Sequence, residues 1–283
     1  MARRPGSAPV PADLAAAAAA AAAAVVEPPP RIPDPAAAAF FDVDNTLMRG
    51  ASIYHFARGL AARKMFGPQD LVRLSWAQLA FRLRGLENTE HIESARQAAL
   101  AFVAGHQVAD IVALGEEIYD DTMADRVWAG ARELTRRHLE AGQRVWLVTA
   151  TPVELANIIA RRLGLTGALG TVAESCDGVY TGRLAGGLLH GEAKAAAVLA
   201  LAQREDLDLA RCSAYSDSAN DLPMLRLVGH PVAVNPDAEL RRVAAEEGWQ
   251  VLTFERLHRR LKVAAGLTGA AALGAGLRSI SPR

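Results

Sequence analysis

Apolar positions in this chain follow two different rhythms. Ala36 to Val43 is a continuous apolar run interrupted only by Asp42, the pattern of a buried parallel strand that delivers carboxylates at its C-terminal end. From about Ser52 to Leu139 no comparable strand occurs. Apolar residues there recur at helical spacing in Ile53/Phe56/Leu60, Leu71/Leu74/Leu79/Leu83, Ile92/Ala95/Ala99/Phe102 and Ile111/Leu114/Ile118, which predicts an inserted unit of about four helices. Arg144 to Thr149 reads as a second buried strand, followed through Thr151-Pro152 by a helix from Val153 to Leu163. Asp177-Gly178 sits between Thr171–Cys176 and Val179–Leu184, a strong hairpin signal. A helix from Glu192 to Arg204, a strand Cys212 to Tyr215, a helix Asp221 to Leu227 and a strand Pro231 to Val234 complete the alternation. Strands and helices in this order predict an α/β fold with a doubly wound, Rossmann-like parallel sheet, which binds ligands at the C-terminal strand edge.

The ends are of different material. Residues 1–35 hold an unbroken alanine run, Ala15 to Ala24, between proline clusters, and this composition predicts a disordered leader. Arg3, Arg4 and the stretch Leu14 to Val26 only faintly imitate a signal peptide, since alanine is weakly hydrophobic and no clean cleavage site follows. Residues 255–283 carry six basic residues against Glu255, around the apolar segment Val263 to Leu277. That segment is shorter than the roughly 18–20 residues a membrane span needs. A helix resting weakly on an anionic membrane surface or on a partner, or a solvated tail, fits its composition.

Composition narrows the function. The 283 residues carry 31 Lys+Arg and 31 Asp+Glu, a balance that argues against a nucleic-acid binder. Hydrophobic residues make up 51% but aromatics only 5%, so alanine inflates the apolar content. Two cysteines, Cys176 and Cys212, are too few for a disulfide framework, which makes the cytoplasm the expected compartment. Seven histidines form no His-x-x-x-His pair, which disfavours a histidine-based zinc enzyme.

Four clusters at strand or helix ends carry candidate chemistry. Asp42 and Asp44 lie two residues apart at a strand end, where one carboxylate can attack while the other handles protons. Thr149 ends an apolar run beside a helix start, a natural phosphate-oxygen ligand, whereas Thr151 is the better candidate for the helix cap. Lys194 opens a helix, where a cation fits poorly unless an anion is near. The segment Ser216-Asp217-Ser218-Ala219-Asn220-Asp221 is dense in oxygen ligands, and Asp42 with Asp217 would offer the hard donors that Mg²⁺ prefers.

Together, DVDNTL from Asp42, Thr149 after its strand, Lys194 and SDSANDLPML from Ser216 resemble the four motifs of the haloacid-dehalogenase-like phosphohydrolase superfamily. The resemblance covers roughly residues 36–254, and the helical insertion resembles the cap of the phosphoserine-phosphatase-like branch, subfamily IB. It implies a catalytic core of 36–50 and 140–254 with a helical cap of 51–139, and a Mg²⁺-dependent phosphomonoester hydrolase acting on a small phosphorylated metabolite. Asp42 would become an aspartyl phosphate, and Asp44 would protonate the leaving alcohol and then activate water. Thr149 and Lys194 would hold phosphoryl oxygens, with Asn220 adding polar contacts. Mg²⁺ would be bound by Asp42, the carbonyl of Asp44 and Asp217, with Asp221 supporting the metal's waters or orienting Lys194.

Two departures from the family pattern stand out. Ala51 occupies the position of a glutamate that contributes to amine binding in phosphoserine phosphatases, and Ser216 stands where many relatives have glycine. A generic phosphomonoester is therefore expected ahead of phosphoserine, with a lysophosphatidate-type lipid phosphate third. Arg49, Arg82 and Arg84 are candidates for an acidic substrate group, although surface arginine is the simpler reading. A receiver-like signalling domain would lack both the large insertion and the second carboxylate, Asp44. A non-catalytic interaction module would be expected to have lost Asp42 or Lys194.

Overall fold

The structure, a computed structural model, describes residues 33–63, 100 and 103–254. The leader up to residue 32, the tail 255–283, and the patterns Leu71–Leu83 and Ile92–Phe102 with Arg82 and Arg84 lie outside the described residues. Its first strand, β1 (Ala38–Phe41), is buried at every position, as its apolar run requires. Helices α1 (Ser52–Ala62), α2 (Val108–Ile118) and α3 (Ala129–Glu140) follow, with a π-helical turn Tyr119–Met123 and a 3-10 turn Ala124–Arg126 before α3. Next come β2 (Arg144–Pro152), α4 (Val153–Arg162), β3 (Gly167–Thr171) and the hairpin β4 (Ala173–Cys176) and β5 (Val179–Leu184). The remaining elements are α5 (Glu192–Arg204), β6 (Ser213–Ser216), α6 (Leu222–Leu225), β7 (His230–Val234), α7 (Ala238–Glu246) and β8 (Gln250–Leu252).

Six strands form one sheet in the order β3-β2-β1-β6-β7-β8, every pair parallel. β1 lies at the centre because alternate residues bury toward both faces. Phe40 packs on one side with Val148, Val198, Leu225 and Leu240, so α5, α6 and α7 cover that face. Phe41 packs on the other with Leu134, Leu155 and Ile158, which brings α3 and α4 there. Its ring stacks on Tyr215, with centroids 4.1 Å apart and planes 8° from parallel. Phe56 and Leu60 of α1 and Ile111 and Ile118 of α2 extend that second cluster beyond the sheet, while Ile53 faces solvent.

The chain leaves the sheet and returns to it at one narrow neck. The Arg49 N–H donates to the Arg126 carbonyl at 2.9 Å, and the Trp128 N–H to the Leu47 carbonyl at 3.0 Å. Met48 bridges Val127 between them. The two ends of the excursion are therefore paired through their backbones a few residues beyond Asp42 and Asp44, and its return is also tied to the hairpin, where the Val108 N–H donates to the Gly178 carbonyl at 2.8 Å. On its return, α3 lies against β1 and β2.

The pattern-based elements and the structure differ in informative places. β3 was not anticipated because Gly-Ala-Leu-Gly-Thr lacks the β-branched run that marks strands, and its pairing with β2 supplies what propensity does not. Thr171 therefore belongs to β3, and the hairpin begins at Ala173. The Asp177-Gly178 turn has φ of 50° and 78°, the positive pair that a two-residue hairpin of primed type needs. The expected helix Asp221–Leu227 divides into a 3-10 turn, Ala219–Asp221, and the short α6, with Pro223 in its first turn. α7 and β8 were not anticipated either; α7 is amphipathic, burying Leu240, Val243 and Ala244. Among the described residues, no helix is long and apolar enough to cross a membrane.

Gly229 marks the closest packing between loops at the base of the sheet. Its N–H donates to the Leu209 carbonyl at 2.9 Å, and a Cβ there would lie 1.9 Å from the Ala210 carbonyl oxygen. Since backbone must move to admit a methyl group, Gly229→Ala is expected to cost about 2–3 kcal/mol, read as a lower midpoint in urea unfolding.

Candidate active site

Asp42 follows directly on β1, and its N–H continues the ladder by donating to the Tyr215 carbonyl at 2.9 Å. The strand thus holds the Asp42 backbone while its buried side chain, 9% exposed, stands at the C-terminal edge of the sheet. The next turn is tight: Leu47 and Met48 both donate N–H to the Val43 carbonyl at 3.0 Å. Asn45 makes that turn with φ 58°, a conformation asparagine tolerates better than most side-chain-bearing residues, and its Oδ1 accepts the Gly50 N–H at 3.1 Å. Half-buried Asp44 is thereby folded back, and its Oδ1 accepts the Ser52 N–H at 2.8 Å from the first residue of α1.

Lys194 reaches this edge from α5. Its helix begins at Gly191, whose φ of 54° and ψ of −121° suit only glycine. Three residues on, Lys194 is 3% exposed, and its Nζ donates to Asp42 Oδ1 and Asp221 Oδ2, both at 2.7 Å. Burial opposes the ammonium charge, but Asp42 and Asp221 outweigh it and hold Lys194 above its ordinary pKa. Asp221 is fixed further by the fully buried Ser216, whose hydroxyl donates to the same Oδ2 at 2.7 Å.

Asp217 follows β6 and accepts a long hydrogen bond from Thr46 Oγ1 at 3.4 Å. Its backbone is pinned by the Asp237 N–H, which donates to the Asp217 carbonyl at 2.8 Å. Asp237 also accepts the Ala219 N–H at 2.9 Å and caps α7 through the Leu240 N–H at 2.7 Å, so one side chain joins the acidic loop to a helix start. Thr149 lies two residues beyond the Leu147–Phe41 pair of the β2–β1 ladder and is 1% exposed. Its hydroxyl donates to Thr151 Oγ1 at 3.0 Å. The expectation that Thr151 caps the following helix is corrected. Thr151 lies within β2, Pro152 is the N-cap residue with no side-chain cap, and the Thr151 hydroxyl instead lies 2.6 Å from Ser52 Oγ.

Five of the seven anticipated residues, Asp42, Asp44, Lys194, Asp217 and Asp221, therefore form one electrostatically connected group. Thr149 is buried on the neighbouring strand, and the Asn220 amide donates to Ser218 Oγ at 3.1 Å. Ser216, Ser52, Thr46 and Asp237 were missed as supporting residues. Ser216 and Thr46 sit inside the motifs, but only the folded geometry joins each to its carboxylate. Asp237 carried an ordinary N-cap signal that gave no hint of its second bond.

The charge balance of the group is uneven, with four carboxylates arranged around one ammonium. Burial, then the neighbouring carboxylates against the pull of Lys194, raise Asp42 to about 7. Burial, followed by Asp42, Asp221 and Asp44, raises Asp217 to about 8. Asp44 is raised by burial and pulled back chiefly by Ser52. Among the described residues no three His, Cys, Asp or Glu side chains form a ready metal cage. Two hard carboxylates short of positive charge, Asp42 and Asp217, nevertheless fit a divalent cation that completes its shell with a backbone carbonyl and water.

Comparison with known proteins agrees with this arrangement. A family model described as haloacid dehalogenase-like hydrolase matches residues 39–226. The phosphoserine phosphatase SerB1 of Mycobacterium tuberculosis is 59% identical over 242 residues, covering 86% of this chain and 78% of that protein. A histidinol-phosphatase of Neisseria meningitidis is 31% identical over 222 residues, covering 77% and 98%. The crystal structure of a Bordetella pertussis protein of unknown function superposes with a TM-score of 0.68 at 33% identity, covering 77% of this chain and 98% of that one. The chain belongs to the haloacid dehalogenase-like hydrolases. It is an enzyme of the phosphatase type, built as a parallel sheet flanked by helices with a helical insertion.

The raised carboxylates predict an unusual pH response. A carboxyl whose pKa is higher folded than unfolded supports the fold fully below about 4, its unfolded value, and loses that support as pH rises through its folded value. In chelator, wild type and Asp217→Asn should melt together near pH 4. Wild type should fall progressively below the variant as pH approaches about 8, which thermal unfolding across that range would record.

Proposed function

We propose that this chain hydrolyses a small phosphomonoester through an aspartyl phosphate on Asp42, with Asp44 as acid and base. The observation that carries these roles is Lys194, which bridges Asp42 and Asp221 at 2.7 Å each in a buried site that opens on Asp44 and Asp217. A lysine so placed offsets part of the desolvation that disfavours an ionised Asp42 and leaves a positive charge beside any phosphoryl group that approaches it.

In this reading an Asp42 oxygen forms a bond to phosphorus while the bond to the ester oxygen breaks. Asp44, protonated, gives its proton to the departing alcohol and is left as a carboxylate. That carboxylate takes a proton from water, the water oxygen attacks phosphorus, and Asp42 is released with inorganic phosphate. Thr149, Lys194 and Asn220 are assigned to the phosphoryl oxygens, and Asp221 keeps Lys194 in place. Mg²⁺ bound by Asp42, Asp217 and the Asp44 carbonyl would neutralise charge on the phosphoryl group. Residues 36–50 and 140–254 are assigned to the catalytic core and 51–139 to the cap insertion, except that α3 at its end packs on the core against β1 and β2. Cys176 and Cys212 are free thiols, in keeping with the cytoplasm as the assigned compartment.

For the substrate, the SerB1 relative supports phosphoserine. The histidinol-phosphatase relative widens the class. Both esters carry a primary amine on the carbon next to the phosphate-bearing carbon, so the assigned class is a 2-aminoalkyl phosphate. Ala51 removes the glutamate expected to meet that amine, so other groups must recognise it.

With Mg²⁺ present, Asp42→Asn is expected to lower turnover by roughly 10³-fold or more. Asp44→Asn given an aryl phosphate should accumulate protein heavier by one phosphoryl group, seen by intact mass. Full activity in Asp42→Asn, with deamidation excluded, overturns the mechanism.

The substrate class is tested separately. Phosphoserine, histidinol phosphate and phosphoethanolamine should show higher kcat/KM than glycerol phosphate, sugar phosphates, nucleotides and lysophosphatidate. A preference for one of the latter would reassign the substrate without touching the mechanism.

A further inference from the structure

Three buried hydroxyls connect Thr149 to Asp44 along a path that the chemical steps above leave unused. Thr149 Oγ1 donates to Thr151 Oγ1 at 3.0 Å, and Thr151 Oγ1 lies 2.6 Å from Ser52 Oγ. Ser52 in turn holds the Asp44 carboxylate, its N–H donating to Asp44 Oδ1 at 2.8 Å. All three are shut away from solvent, at 1%, 4% and 0% exposure for Thr149, Thr151 and Ser52. The path crosses from β2 to the first residue of α1, at the base of the segment that leaves the sheet.

Each hydroxyl has one proton to give and two lone pairs to accept with, so the bond between Thr151 and Ser52 can run in either sense. A Thr149 that holds a phosphoryl oxygen must donate to it instead of to Thr151. The Thr151 hydroxyl is then left with Ser52 as its side-chain partner. That bond fixes the Ser52 side chain, and with it the N–H that orients Asp44 Oδ1. No covalent bond changes.

We propose that Ser52 and Thr151 are positioning residues for Asp44, coupling a phosphoryl group held by Thr149 to the orientation of that carboxylate. This rests on the roles given to Asp44 and Thr149 under the proposed function. It explains why Thr151, which caps nothing, is a buried threonine, and why Ser52 has no exposure at all.

The test compares two aryl esters in single turnover. Phenyl phosphate leaves as a phenolate that needs a proton, whereas 2,4-dinitrophenyl phosphate leaves without one. Ser52→Ala and Thr151→Val should slow phosphoryl transfer from phenyl phosphate about tenfold and from 2,4-dinitrophenyl phosphate less than about twofold, since only the first draws on the acid. The double variant should be no slower than the slower single variant, because both cut one chain. Ser52→Thr and Thr151→Ser, which keep the hydroxyls, should recover most of the rate. If Ser52→Ala does not fold, Thr151→Val and its serine counterpart make the same comparison. Equal slowing of both esters, multiplicative losses in the double variant, or wild-type rates in both single variants overturn the proposal. Failure of the underlying phosphatase reading looks different: wild type would then cleave neither ester.

Discussion

The buried Lys194 ammonium is the contact on which the rest of the site depends. Four carboxylates converge at one edge of a parallel sheet, where water that would screen them is largely excluded. Without a cation among them, the group would repel itself or take up protons. Lys194 lies between Asp42 from β1 and Asp221 from the turn after β6, so the same two bonds that balance charge also tie together elements distant in sequence. Removing one partner of such a buried pair typically costs about 3–5 kcal/mol, because the charge left behind has no solvent to turn to. Structural and chemical requirements therefore fall on the same atoms.

Much of the polar framework serves to place those atoms rather than to react. Gly191 allows α5 to begin from a backbone conformation closed to other residues, three residues before Lys194. Ser216 fixes Asp221, and Asp237 fixes the backbone of Asp217. The Ser216 hydroxyl adds a bond to the carboxylate that holds the lysine. Each supporting residue is short, which limits rotamer freedom and the positional error that comes with it.

The convergence of these side chains could be read from the sequence because they sit at strand and helix ends, where one-dimensional order already implies proximity. Asp42, Asp44, Lys194, Asp217 and Asp221 were found in this way. Thr151 was misread because Thr-Pro before a helix looks like a cap. Only the alignment of β2 with the start of α1 shows where its hydroxyl goes, and residues 99 apart cannot be paired from spacing. β3 escaped notice for a related reason: its five residues are poor in strand formers, and their conformation is imposed by a neighbour. Local pattern therefore served well for α5, which matched to the residue, and poorly wherever a distant partner decides.

The paired neck at Leu47–Arg49 and Arg126–Trp128 also bears on how such an enzyme can change over time. Because the two ends of the excursion are held together by backbone bonds, its length enters the folding free energy only logarithmically. Each doubling of a flexible loop adds about 0.6 kcal/mol. Added length in a flexible part of the excursion is thus thermodynamically cheap, whereas α1 and α2, whose Phe56, Leu60, Ile111 and Ile118 lie in the core, cannot be lost without emptying that cluster. A single inserted residue between Asp42 and Leu47 would shift the carboxylates relative to Lys194. The molecule joins an excursion that tolerates added length to a short stretch that tolerates no slippage, and the border between them falls within a few residues of Asp42.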